Sequence, residues 1–154
     1  MVAVKERGSQ LSENNPFLRA LTMYAEAVYR KDVEAFSALY DQDVHVFDMW
    51  GAWSLRGLTA WRDMASGWFS SLGNERVVVT FDSQESRVTG DLAIGYAILT
   101  YTALAPDGTT LRSLSNRATM ALHKTGECWT IFHEHTSAPI DHQSLQAIVS
   151  RADC

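Results

Sequence analysis

The chain has 154 residues, a length that suits one domain with a full hydrophobic core. Apolar residues make up 46% and charged residues 20%, which excludes a disordered tail or a low-complexity array. Thirteen Lys and Arg against eighteen Asp and Glu leave a net charge of −5 with no basic cluster, so no nucleic-acid partner is expected.

Residues 1–15 are polar and aperiodic and read as a flexible leader. The opening Met1-Val2-Ala3-Val4-Lys5-Glu6-Arg7 has no apolar h-region, so no secretion signal is read and a cytoplasmic location is expected. Asn15-Pro16 is a helix start, because Asn caps free amides and Pro suits the first helical position. Phe17, Leu21, Tyr24 and Val28 then fall on one helical face. A short second helix follows Asp32 and buries Ala35, Phe36, Leu39 and Tyr40. Val44–Met49 reads as a short strand. Gly57 opens a third helix with Leu58, Trp61, Ala65, Trp68 and Leu72 on one stripe, closed by Gly73.

The second half is β-rich. Strands are expected at Arg76–Val88, Leu92–Ala105, Leu111–His123 and Cys128–Ser137, broken by Thr89-Gly90, Pro106-Asp107-Gly108 and Thr125-Gly126. These short breaks are hairpin signals and predict an antiparallel meander. Strands well beyond the usual ~5–6 residues imply a strongly twisted, curved sheet, one face of which the three helices must cover. The fold class is therefore α+β, with a domain at 16–140. Residues 141–154 form a tail with a short helix around Leu145, Ile148 and Val149. The uncharged run Leu92 to Pro106 is too short and too polar to span a bilayer, so no membrane partner is expected. It is apolar on both faces, with Leu92, Ile94, Tyr96 and Ile98 on one and Ala93, Ala97, Leu99 and Tyr101 on the other. One face can pack on helices. The other needs a cover, either a second subunit in a homodimer or the tail helix.

Several residues could carry chemistry. Asp48 shares a strand face with Val44 and Val46, so a carboxylate is directed where apolar side chains go. Burial raises a carboxyl's pKa and makes a general base; the alternative is a strand-end Asp capping its own turn through Gly51. Trp50 and Trp53 follow closely and could wall a pocket. Tyr24 lies on the apolar stripe of the first helix, either as a plain core aromatic or as a hydroxyl donor to a developing oxyanion. His133 and His135 are two apart in the last strand, on the face of Trp129 and Ile131, while Arg117 and Thr119 alternate on the strand before. The histidines could hydrogen-bond a ligand, join a core network, or hold a metal with Asp48 as third ligand; the sequence announces no such set, and no metal is assigned. Cys128 and Cys154 make no disulfide framework or thiolate site. Ser137 and Cys128 lack a nucleophile elbow, and no Gly-rich phosphate loop occurs. A four-residue loop, Lys124 to Glu127, sets His123 opposite Cys128 and Arg117 opposite Glu134. Arg117 is then the natural counter-ion of a buried acid, though no direct Arg117–Asp48 contact is expected, since such a pair would weaken the base.

Lys31-Asp32-Val33-Glu34-Ala35, Leu39-Tyr40-Asp41-Gln42-Asp43-Val44, Val46-Phe47-Asp48-Met49-Trp50-Gly51 and Gly57 resemble the nuclear transport factor 2-like superfamily, in its ketosteroid isomerase and SnoaL-type polyketide cyclase branch. Arg117-Ala118-Thr119 and Trp129 to Ser137 are similar to the SnoaL-like subgroup near the calcium/calmodulin-dependent kinase II association domain. The resemblance covers about residues 16 to 140. It implies a cone-shaped, cystatin-like α+β barrel: a curved antiparallel sheet around three helices, with a ligand pocket at the open end. It also implies that Asp48 is the isomerase-type general base and Tyr24 the oxyanion donor. The protonated acid that the isomerases place near Arg117–Thr119 is missing, so His133 or His135 would have to supply that donor. The implied activity is cofactor-independent proton transfer on a small hydrophobic carbonyl compound, as an isomerase, cyclase or lyase. Trp50, Trp53, Trp61, Trp68, Tyr101, Arg117 and Thr119 would contact the substrate. A non-catalytic ligand-binding or oligomerisation module of the same shape is the alternative, and hydration chemistry at His135-Thr136-Ser137 is a third.

Overall fold

A computed structural model describes residues 14–151. The expected leader lies, in its first 13 residues, outside them. Three helices, α1 (Pro16–Arg30), α2 (Val33–Ser37) and α3 (Leu58–Ser71), interleave and precede strands β1 (Tyr40–Phe47), β2 (Leu55–Arg56), β3 (Arg76–Thr89), β4 (Leu92–Leu104), β5 (Thr110–Thr125) and β6 (Cys128–Ser137). The helix starts follow local chemistry. Asn15 Oδ1 accepts from the amides of Phe17 (3.0 Å) and Leu18 (3.1 Å), with Pro16 next to it. Asp32 caps α2 through the Ala35 amide at 2.9 Å. Gly57, at φ +85, turns the chain into α3 in a conformation that suits glycine.

The strands form one sheet in the order β2-β1-β6-β5-β4-β3. The meander β3 to β6 is antiparallel, as the hairpin signals predict. The expectation of a wholly antiparallel sheet needs correction. After α3 the chain re-enters at the far edge, and four alternating strands bring β6 alongside β1 running the same way, so that pair is parallel. The sheet curves around the helices without closing. Its concave face, including Val79, Ala97, Leu99, Met120, Leu122 and Ile131, packs on Phe17, Leu21 and Val28 of α1, on Phe36, and on Trp61, Ala65 and Phe69 of α3. Gly95 leaves room on β4 for the Phe17 ring.

Two further differences concern the last third of the chain. The β5–β6 turn pairs Thr125 with Cys128, so the loop has two residues, Gly126-Glu127, not four. The register then shifts: Leu122 pairs with Ile131, but Ala121 pairs with His133, leaving Phe132 as an extra residue in a bulge. Over its described residues, 141–151, the tail is not helical. Asp141 Oδ1 takes the amides of Gln143 (3.0 Å) and Ser144 (2.7 Å), Leu145 has φ +59, and a bridge joins Ile140 to Ala147. That turn chemistry leaves no uninterrupted helical stretch, and Val149 instead accepts from the Ser115 amide at 2.7 Å. No helix among the described residues is long and apolar enough to cross a membrane.

Candidate functional site

Between the helices and the concave face of the sheet lies a cavity of about 810 Å³. Trp61, Met64, Trp68 and Leu72 of α3 form one apolar wall, with Val77 and Leu114 from the sheet and Val149 from the tail. Polar groups gather on the remaining lining: Tyr24, Asp48, Tyr101, Asn116, Glu134 and Thr136. Trp50, half exposed, stands among the lining residues beside Gly51 and Ala52.

Asp48 reaches the cavity because β1 keeps a strand's period of two: Val44 and Val46 are fully buried, and Asp48 continues their face just past the strand end. Burial lifts its carboxyl above the ordinary carboxylate range, and the hydrogen bond from Thr136 partly opposes that rise. The Met49 amide donates to Thr136 Oγ1 at 2.9 Å, and the Thr136 hydroxyl donates to Asp48 Oδ1, also at 2.9 Å. Among the described residues no Lys, Arg or His pairs with Asp48.

Tyr24 and Tyr101 bring their hydroxyls to 3.0 Å, and both are raised above the usual phenol range, mainly by burial. One hydroxyl of the pair donates to the other, which keeps its own proton for the cavity. Glu134 is 2% exposed and takes a 2.8 Å hydrogen bond on Oε1 from the Tyr40 hydroxyl. Burial, with the nearby Asp48 charge, pushes its carboxyl up to about 7. Arg112, at the cavity wall, is held by Glu75 through bonds of 3.2 and 2.6 Å.

The structure therefore brings Asp48, Tyr24, Tyr101, Trp50, Trp61 and Trp68 together and disperses the other candidates. The Phe132 bulge reverses the parity of β6, so Glu134 and Thr136 point inward while His133 and His135 lie on the convex face. There His133 Nδ1 lies 2.7 Å from the His45 carbonyl, and both rings meet Phe47 edge-on at 5.0 and 5.6 Å. A metal set of both histidines with Asp48 cannot assemble across the sheet. Arg117 and Thr119 also face outward; Arg117 lies opposite Ser137, not Glu134, and its Nε donates to Ser137 Oγ at 3.1 Å. It makes no contact with Asp48. Trp53 is 98% exposed and does not line the cavity. Glu134 and Asn116 were missed as site residues, and Thr136 entered only through the hydration alternative. A shift of one residue in the His133–Thr136 alternation would have found Glu134 and Thr136.

Helices cradled by a curved, open sheet around an apolar cavity define the nuclear transport factor 2-like, cystatin-like class of fold. The SnoaL-like domain model matches residues 18–141, and the chain belongs to that family. Among solved structures it is similar to a nuclear transport factor 2-like protein of unknown function from Pseudomonas putida KT2440, at 22% identity over 88% of this chain and 92% of that one, with a TM-score of 0.76. A candidate dehydratase of the same fold family from Streptomyces avermitilis is 18% identical over 76% and 89%, with a TM-score of 0.64. An uncharacterised protein with a cystatin-like fold from Caulobacter vibrioides is 18% identical over 78% and 85%, at 0.61. No curated protein matches the chain.

Proposed function

We propose that the cavity binds a small hydrophobic carbonyl compound and that Asp48 moves a proton on it without a cofactor, as in an isomerase, cyclase or lyase. The observation that carries this reading is Asp48 itself: a half-buried carboxyl with raised pKa and no cationic partner, sharing an apolar cavity with the Tyr24–Tyr101 hydroxyl pair. Such a carboxylate abstracts a proton next to a carbonyl more readily than a solvated one, and a tyrosine hydroxyl stabilises the enolate oxygen. The candidate dehydratase among the structural neighbours is in keeping with proton-transfer chemistry on this fold. The test uses 2-tetralone, a bicyclic ketone of suitable size, in deuterated buffer. Proton NMR should show its α-protons exchanging faster with the protein than with buffer alone. Binding without accelerated exchange would leave a ligand-binding module in place of an enzyme.

The convex face of the sheet supports self-association. Leu92, Ile94 and Tyr96 are roughly half exposed on β4, and the non-helical tail leaves them open. A contiguous apolar face of this kind is ordinarily covered. We expect light scattering to return twice the 17.2 kDa chain mass, and Ile94→Asp to return the single-chain mass. A wild-type protein that scatters as a monomer at micromolar concentration would count against the dimer.

A further inference from the structure

We propose that Glu134 is a second functional carboxyl of the cavity, held as a neutral acid whose O–H donates a hydrogen bond to an uncharged, oxygen-bearing ligand. This deepens the reading of the cavity as the functional site, and it does not require Asp48 to act as a base. Glu134 is almost fully buried and yet lines the cavity. Its Oε1 is occupied by the Tyr40 hydroxyl, and Tyr40 cannot swing away, because it is packed against the Phe36 ring (centroids 5.3 Å apart) and the Trp61 ring (5.8 Å). Among the described residues Oε2 has no partner. A neutral carboxyl has one accepting oxygen and one O–H, so the Tyr40 bond assigns the accepting role to Oε1 and leaves the proton on Oε2.

The surroundings keep that proton in place. Facing Glu134 are Tyr24 from α1, Tyr40 from β1, Asp48 just beyond β1 and Tyr101 from β4, three hydroxyls and an acid. Met120 stands opposite it on β5. The cation of the cavity wall, Arg112, is already engaged by Glu75. An ionised Glu134 would be a buried charge with no opposite charge beside it, which is costly, whereas the neutral acid needs only an acceptor. The ligand class follows from the same inventory. A ketone or alcohol oxygen can accept from Oε2, and its apolar body can lie against Trp61, Met64 and Trp68. A carboxylate ligand would meet Asp48 with no free cation to receive it.

The test is a tryptophan-fluorescence titration from about pH 6 to about pH 8 with three probes of one size: 2-tetralone, 2-naphthoate and 2-naphthylmethylamine. Wild-type protein should bind 2-tetralone at pH 6 and lose affinity above pH 7, by about tenfold per pH unit once Glu134 has ionised, while 2-naphthoate stays unbound. Glu134→Gln keeps a donor that cannot ionise, so binding should persist and the pH dependence should vanish. Asp48→Asn should retain the transition at a slightly lower pH, because the Asp48 charge helps hold the Glu134 proton. A ligand-free readout runs in parallel: an infrared band of a protonated carboxyl, present at pH 6, fading with a midpoint near pH 7 and absent in Glu134→Gln. Absence of that band in the wild type, a pH-independent wild-type affinity, or a transition that survives in Glu134→Gln would overturn the proposal. So would an amine that binds more tightly as pH rises through 7, since Glu134 would then be a counter-ion. Binding of 2-tetralone with this pH dependence but without deuterium exchange would uphold Glu134 and remove only the Asp48 reading.

Discussion

Asp48→Asn is expected to lower α-proton exchange of 2-tetralone by about 10²–10⁴-fold, the usual contribution of a positioned general base. Asparagine has nearly the same shape, and its amide oxygen can accept the Thr136 hydroxyl that now holds Oδ1, so the side chain stays where it is. What disappears is the capacity to take a proton. The wild-type pH profile should carry the same signature. A base works when ionised, so the rate at saturating ketone should climb as pH rises through the raised Asp48 titration and then level off, whereas below saturation it should fall again above about pH 7 as Glu134 ionises and affinity is lost. Thr136→Val removes a hydrogen bond that favours the carboxylate, which should move that rise to higher pH while leaving the plateau nearly unchanged. Stability runs the other way. Asp48 is neutral to a higher pH when folded than when unfolded, so its folding contribution is present at low pH and is lost as pH rises through the folded titration. Exchange that proceeds in Asp48→Asn at the wild-type rate would eliminate Asp48 as the base.

A single methyl group at Gly95 should cost about 3 kcal/mol, at the upper end of overpacking effects. An ideal Cβ there would stand 2.1 Å from Phe17 Cγ and 2.3 and 2.5 Å from the two Cδ atoms, far inside contact distance. Neither side can yield easily. Gly95 lies mid-strand in β4, paired with Ser86 on β3 and Met120 on β5. Phe17 is fully buried in the first turn of α1, two residues after a cap that is itself tied to the sheet by a 2.7 Å bond from Asn15 Nδ2 to Ser86 Oγ. The helix start and the strand are thus clamped at adjacent points. Urea denaturation of Gly95→Ala measures the loss. A combined Gly95→Ala, Phe17→Leu variant should show strong non-additivity, because both changes act on one contact. A loss below about 0.5 kcal/mol in Gly95→Ala would mean that α1 can shift along the sheet.

Local chemistry made much of this fold legible. Asn15-Pro16 and Asp32 cap the helices they were expected to start, and the bounds of β6 coincide with the predicted Cys128–Ser137. Asp48 was legible for a similar reason, since Val44 and Val46 announce an inward face and nothing interrupts the alternation before residue 48. Alternation failed four residues after Trp129. A bulge costs a strand only one unpaired residue, and Phe132 differs in no local way from its neighbours, so periodicity carried His133 and His135 inward and left Glu134 outside. The parallel β1–β6 pair was hidden because it joins segments about ninety residues apart, where no turn signal operates. The tight Gly126-Glu127 turn had a visible precedent: Gly90-Asp91 makes the same two-residue connection, pairing Thr89 with Leu92. Reading the two Thr-Gly turns alike would have corrected the register, though not the bulge.

One lining residue of the cavity, Val149, sits in a segment that belongs to neither the helices nor the sheet. Val149 is tied in by the Ser115 amide, and Arg151 by a 2.7 Å pair with Asp82. Attachments of this kind come apart at lower free energy than a six-stranded sheet, so the tail can lift while the rest of the chain stays folded. Such an opening would uncover the cavity beside Val149 without unfolding the domain. The Ser115 amide becomes an internal clock for that opening, because its proton meets solvent when Val149 withdraws.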